Sequence, residues 1–225
     1  MIKDLIQSIH VSNEYHDFYG GILVIGVTGG VGSGKTVFAS ELGKLRAHVI
    51  DVDTIARSLI DKSVDIQTSL RKTFGYGIFD EYGRLRRREL GRIVFTNSEK
   101  LTSLNQIFYS PLTKKIKAEI LSQQNKEKEI DIVVDMAILF EARFEVFCDI
   151  VIIIIAPLER RVNWLFKVRE WSFEEIFSRI HTQKSIEQNM GKADVIIENS
   201  GTLAGLRRKA REFYKKYVLS QKSKS

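Results

Sequence analysis

The sequence predicts an α/β fold, a five-stranded parallel sheet flanked by helices, from three observations. Five short apolar runs recur along the chain, at 22–28, 47–51, 130–136, 150–156 and 193–197. Each is apolar on both faces, as strands are when helices cover both sides of a parallel sheet. Charged stretches of helical spacing separate them, as strand–helix–strand connections require. With 225 residues, 44% of them hydrophobic and 28% charged, the chain can bury one sizeable core and carry a smaller appended unit.

The first run, Ile22-Leu23-Val24-Ile25-Gly26-Val27, enters Gly29-Gly30-Val31-Gly32-Ser33-Gly34-Lys35-Thr36. That octet fits the phosphate-cradling pattern G-x-x-x-x-G-K-[ST]. Phe38, Leu42 and Leu45 then share one helical face, so strand, glycine loop and helix follow in the order of a P-loop NTPase core. Glycines let the backbone wrap clustered negative charge, and the helix N-terminus adds donors. Gly30, Val31, Gly32, Ser33, Gly34, Lys35, Thr36 and Val37 are the predicted nucleotide-binding residues. Lys35 brings a mobile charge to the outer phosphates, and the Thr36 hydroxyl suits Mg²⁺.

The second run ends in Asp51-Val52-Asp53. Read as continuing strand, the two carboxylates point to one face. One can take a proton from an acceptor hydroxyl while the other holds Mg²⁺ directly or through water. Asp53, farther into the loop, is the favoured base and Asp51 the favoured metal ligand. The alternative is that both cap a helix beginning near Thr54. Arg57 lies one helical turn beyond Asp53 and can bind an acceptor phosphate or pair with Asp53.

Residues 58–128 are helical by pattern and too long for a simple crossover, so a helical substrate-binding insertion is expected there. The third run carries Asp135, either a Walker B carboxylate or a tie to the glycine loop, and leads toward Glu141. The fourth stops at Pro157 and is too short to span a membrane. Residues 158–192 are charged and helical, and Ser172-Phe173-Glu174-Glu175 has the form of a capping box. This segment is the candidate lid. The fifth run ends in Glu198-Asn199-Ser200-Gly201. Polar groups thus gather beyond the carboxyl ends of several strands, where open α/β sheets bind ligands.

The net charge of +7 suits an anionic partner. The densest cluster is Arg84, Arg86, Arg87, Arg88 and Arg92, for which a solvated helix face is the alternative. Cys148 is the only cysteine. An internal disulfide is thereby excluded, a thiolate metal site is disfavoured, and a cytoplasmic location is expected. Residues 1–20 carry Asp4, Glu14 and Asp17 and no long apolar block, so they do not read as a signal peptide. His10, His16, His48 and His181 are scattered and are not expected to ligate a metal.

Taken together, Gly26 to Thr36 and Ile50-Asp51-Val52-Asp53-Thr54-Ile55-Ala56-Arg57 resemble the opening of dephospho-coenzyme A kinases. The likeness continues through Phe74-Gly75, Gly83-Arg84-Leu85, Leu90, Val94-Phe95, Leu104-Asn105, Pro111, Leu139-Phe140-Glu141 and Cys148-Asp149. It closes with Ala156-Pro157, Arg179-Ile180, Gln183, Ala193-Asp194 and Asn199-Ser200-Gly201. The resemblance implies ATP-dependent phosphorylation of the ribose 3′-hydroxyl of dephospho-CoA, the last step of CoA synthesis, with Mg²⁺. It implies that the glycine loop and Asn199 hold ATP, that Asp53 is the base, and that Arg57, Leu90, Leu139 and Glu141 lie near the acceptor. The expected organisation is an N-terminal extension (1–20), a nucleotide-binding core (21–57, 129–157 and 193–218), an acceptor-binding region (58–128), a lid (158–192) and a basic tail (219–225).

The chain departs from the family pattern in several places. Ala137 stands where the family usually has Pro, Arg86 where it has Asp, and Ser110 where it has His before Pro111, with one residue added nearby. An ungapped alignment of the lid puts the family's two arginines at Trp164 and Val168. Such arginines neutralise charge on the transferring phosphoryl group. Arg161 and Arg160, three and four residues before Trp164, are the candidate substitutes, with Arg161 taken as catalytic. Arg169 is near in sequence but about 100° around the helix. The alternatives are another P-loop small-molecule or nucleotide kinase, and a catalytically weak nucleotide- or nucleic-acid-binding paralogue. Small-molecule substrates are expected, not a membrane or nucleic acid, acting on a monomer or weak homo-oligomer.

Overall fold

The apolar runs become strands because they have no polar face to turn to water. The computed structural model describes residues 22–127, 130–182 and 185–219. The N-terminal extension, Gln183 and most of the basic tail lie outside the described residues. The strands are β1 (Val24–Gly29), β2 (Ala47–Asp51), β3 (Asp131–Asp135), β4 (Ile150–Ile155) and β5 (Val195–Glu198). They form one sheet in the order β2-β3-β1-β4-β5, every pair parallel. The register sets Val27 beside Asp135 and Asp135 beside Asp51, so β2 and β3 end at one level and β1 runs two residues beyond it.

At the opposite edge, carboxylates peg the register. Asp149 accepts from the Val24 N–H at 2.7 Å, Asp194 from Val151 at 2.7 Å and Asp131 from Leu23 at 3.3 Å. Each satisfies a strand-end donor that the ladder leaves over. Burial raises the Asp194 carboxyl above its ordinary pKa, and its backbone hydrogen bonds work against that rise.

Helices cover both faces. On one, α1 (Lys35–Gly43) and α9 (Leu203–Phe213) bring Phe38, Leu42, Leu206 and Phe213 against Ile25, Val27, Ile152 and Ile154. On the other, α5 (Ser98–Lys126) lays Leu112, Ile116 and Ile120 on Val24, Ile132 and Val134.

Between β2 and β3 the chain builds an insertion with its own core. It contains α2 (Val52–Lys62), α3 (Val64–Phe74), α4 (Arg87–Phe95) and the start of α5. Its buried cluster is Ile60, Ile66, Leu70, Ile78, Phe79, Leu90, Val94 and Phe108. Helix α5 serves both cores, with Phe108 in the insertion and Leu112 under the sheet. Pro111 lies inside this helix, where it removes one ladder donor.

Beyond β4 come α6 (Leu158–Arg169), α7 (Phe173–Thr182) and the short α8 (Ser185–Gln188). Ser172 and Glu175 exchange hydrogen bonds at 3.2 Å each, a reciprocal cap on α7. No helix among the described residues is long and apolar enough to cross a membrane.

Glu41 clamps α1 to α9. It is 6% exposed and faces Lys44 at 3.2 Å, Arg211, and Arg207 at 4.0 Å. The Lys44 hydrogen bond, followed by Arg211, holds its carboxyl below the ordinary 4.5 against the cost of burial. A depressed carboxyl pKa adds stability above the unfolded value that is lost as pH falls through the folded one. Glu41→Gln is therefore expected to melt at a lower temperature than the parent at pH 7. The gap should narrow as pH drops below about 4.5, and a gap that stayed constant down to pH 3 would contradict the clamp.

Candidate active site

The glycine loop leaves β1 at the centre of the sheet and ends in α1. Helices α2, α3, α5 and α9 take side-chain caps from Asp51, Ser63, Asn97 and Thr202, whereas α1 takes none. Its first-turn N–H donors therefore point into the loop with no side chain on them, the arrangement that binds anions. Gly34 sits at φ +100°, where a side chain is strained. A Cβ there would also lie 2.7 Å from Asn199 Nδ2 and 2.8 Å from Leu206 Cδ2.

Three braces hold the loop. Asn199, 4% exposed at the end of β5, donates through Nδ2 to the Ser33 carbonyl at 2.8 Å. The Thr28 hydroxyl donates to the Ala137 carbonyl at 3.3 Å. Arg161 on α6 donates through Nε to the Val31 carbonyl at 2.8 Å. Its guanidinium lies so close to Gly30 that a Cβ there would be 2.7 Å from Nη2. One helical turn on, Leu165 packs beneath Gly32, 3.3 Å from the position of a Cβ.

Burial lowers the Arg161 pKa while Glu187 on α8 raises it, and an arginine so lowered stays charged at neutral pH. The neighbouring Arg160 points elsewhere, donating to the Gly201 carbonyl. Trp164 and Val168 are 39% and 60% exposed, and the Arg169 guanidinium lies 5.6 Å from the Trp164 ring centroid.

Lys35 Nζ is 3.4 Å from Asp135 Oδ1. Burial raises the Asp135 carboxyl foremost, and Lys35 and Thr36 pull it back. Asp135 thus ties the lysine to β3, as one of the two sequence readings has it. Thr36 is exposed. Asp53 is near enough for its charge to raise Asp135 further.

The two acids around Val52 are not equivalent. The strand stops at Asp51 and α2 begins at Val52, so the strand alternation that would align them does not apply. Asp51 accepts from the Thr54 N–H at 3.1 Å and the Thr54 hydroxyl at 2.9 Å. Both its oxygens thus accept hydrogen bonds at the start of α2. Asp53 is exposed in the first turn, and Arg57 is exposed one turn on.

Leu139 is fully buried and Leu90 only 6% exposed, so their side chains build walls. Glu141 follows β3 and faces Tyr109 of α5, whose hydroxyl is pushed up to about 12 by burial and then by Glu141. The sequence reading passed over Tyr109. The signal was present, because Phe108, Leu112 and Ile116 face the cores and leave position 109 on the adjoining face.

Four of the five clustered arginines sit in ion pairs. Arg84 meets Asp80, Arg87 meets Asp61, Arg88 meets Glu175 and Arg92 meets Glu89. That is the solvated, paired face rather than an open basic patch. Among the described residues no group of three or more His, Cys, Asp or Glu is gathered to hold a metal.

Comparison with known proteins agrees with this geometry. A solved structure from Thermus thermophilus superposes with TM-score 0.69 at 28% identity, covering 87% of this chain and 98% of that one. The dephospho-CoA kinase of Campylobacter jejuni shares the fold, with TM-score 0.53 at 23% identity over 85% of this chain and 95% of its own. The dephospho-CoA kinase of Bacillus licheniformis is 35% identical over 80% of this chain and 90% of its own length. That of Fusobacterium nucleatum is 34% identical over 85% and 97%. The dephospho-CoA kinase family model matches residues 23–205, and the chain belongs to that family.

Proposed function

We propose that this protein transfers the γ-phosphoryl group of ATP to the ribose 3′-hydroxyl of dephospho-CoA, giving CoA and ADP. The observation that carries the reading is the uncapped α1 N-terminus and Lys35, with Asp53 on the next strand's exit. Residues 30–37 hold the triphosphate, and Asn199 keeps their shape by fixing the Ser33 carbonyl. The acceptor lies on the β2–β3 side between the sheet and the insertion, which serves as the acceptor-binding region. Arg57 meets its phosphates, Glu141 helps to orient it, and Leu90 and Leu139 support the walls. Asp53 takes the 3′-hydroxyl proton as the oxygen attacks the γ-phosphorus in line and ADP leaves. Helices α6 and α7 form the lid.

Thr36 and the Asp135 carboxylate, whose Oδ1 lies 3.4 Å from Lys35 Nζ, are hard oxygen donors that fit Mg²⁺. A site with one carboxylate and substrate phosphates is the usual one for this ion. When bound, Mg²⁺ offsets charge across the outer phosphates.

Arg161 replaces the missing lid arginines. Its guanidinium already lies on Gly30 and Val31, while Arg160 is held at Gly201. The reading includes a cytoplasmic location, consistent with the single buried free thiol of Cys148, and action as a monomer or weak homo-oligomer.

Purified protein with ATP, Mg²⁺ and dephospho-CoA should form ADP and CoA in equal amounts. Lys35→Ala should cost about 2–4 kcal/mol in kcat/KM, measured in a coupled assay. Asp53→Asn should bind ATP normally by calorimetry yet turn over slowly, and full turnover would remove Asp53 as the base.

Arg161→Ala should lower kcat by about 10³-fold, with Arg160→Ala much milder. If both variants and the pair together kept parental kcat, the arginine substitution would be wrong. ATP binding with no transfer by the parent would instead favour a catalytically weak paralogue.

A further inference from the structure

Helix α7 of the lid is fastened to α4 of the insertion through a few discrete side chains. The Arg179 guanidinium lies between two aromatic rings, 4.2 Å from the Trp171 centroid and 4.4 Å from that of Phe95. Gly91 on α4 leaves room for it, since a Cβ there would be 3.4 Å from Arg179 Nη2. The Ser178 hydroxyl donates to the Phe95 carbonyl at 2.8 Å. Arg88 reaches Glu175 through Nε at 3.0 Å and Nη2 at 3.3 Å. A cavity of about 490 Å³ remains between the two helices, so no continuous apolar seam joins them.

The contacts differ in weight. Arg88 is well exposed, and exposed ion pairs contribute little. A partly desolvated guanidinium stacked on two rings contributes more, so Arg179 dominates the clasp.

A chain of contacts runs from this clasp to the glycine loop. Glu170, at φ +53°, ends α6 and reverses the chain into α7. Across that reversal the Phe166 and Phe173 rings stack at 4.9 Å, which locks α6 to α7. Toward the start of α6 Arg161 donates to Val31, and Leu165, next to Phe166, supports Gly32.

We infer that Arg179, stacked between Trp171 and Phe95, is a positioning residue that couples the acceptor-binding region to the placement of Arg161 on the glycine loop. The inference rests on the acceptor and lid assignments proposed above. An insertion that settles on its acceptor carries α4, and α4 carries α7, α6 and Arg161 with it. Transfer to acceptor is thereby favoured over transfer to water.

The test measures two products in the full chain with ATP and Mg²⁺: phosphorylated dephospho-CoA, and total ADP. Arg179→Ala and Trp171→Ala should each lower acceptor-dependent kcat about tenfold, within the usual range for coupled sites, and leave the KM for ATP within about twofold. Both should raise the ADP formed per acceptor phosphorylated. Trp171→Phe keeps a stacking face and should stay near the parent, and Arg179→Lys, which keeps charge without a planar fork, should fall between.

Unchanged kcat and unchanged ADP-to-product ratio in Arg179→Ala and Trp171→Ala would overturn the inference. So would a joint fall in kcat, ATP affinity and Tm with that ratio unmoved, which is the signature of a merely structural contact. A parent that binds ATP but transfers nothing would overturn the function reading as well. An active parent with unaffected variants sinks the coupling alone.

Discussion

Backbone amides can surround a polyphosphate only where the chain bends in ways a side chain forbids, and the rest of this molecule is arranged around that requirement. Gly34 has a left-handed conformation and no free space beside it. The strand before it is fixed at the sheet centre by ladders to β3 and β4. The helix after it keeps its first N–H groups free of side-chain caps. A phosphate bound there replaces the missing cap and gains the helix dipole. Donors in such a site are fixed before the ligand arrives, so little reorganisation is needed at the moment of reaction.

Holding that loop draws on side chains from distant parts of the chain. Asn199 comes from β5, Arg161 from α6 and Asp135 from β3. Lys35 faces a carboxylate that burial biases toward its neutral form and that the lysine returns toward its charged form. Lys35 therefore helps to keep Asp135 charged, and the arrival of a phosphate or a cation alters that balance. Two adjacent arginines on one helix serve different loops, Arg161 the glycine loop and Arg160 the loop after β5. A helix turns about 100° per residue, so neighbours in sequence cannot share one target.

Much of the fold was legible because burial dictates residue type. Runs apolar on both faces belong inside a parallel sheet, and the observed strands fall within a residue or two of those runs. The long helical stretch between the second and third runs had to be an insertion, and it is one with a core of its own. The carboxylates were less legible. Asp51 and Asp53 look alike in sequence, yet a helix starts between them and the first accepts its capping hydrogen bonds. Local sequence admits both outcomes, because Asp is at once a good N-cap and a good hard-metal ligand.

By itself the sequence determined the strands, the glycine loop with Lys35 and Thr36, and the family to which they belong. These depend on short-range rules: side-chain volume, backbone freedom and hydrophobic period. Tertiary structure alone decided that Asp135 meets Lys35, that Arg161 rather than Arg160 reaches the loop, that Tyr109 faces Glu141, and that Arg179 bridges α7 to α4. Each joins residues from separate elements, and such meetings are fixed by how helices and strands pack, which no local pattern encodes.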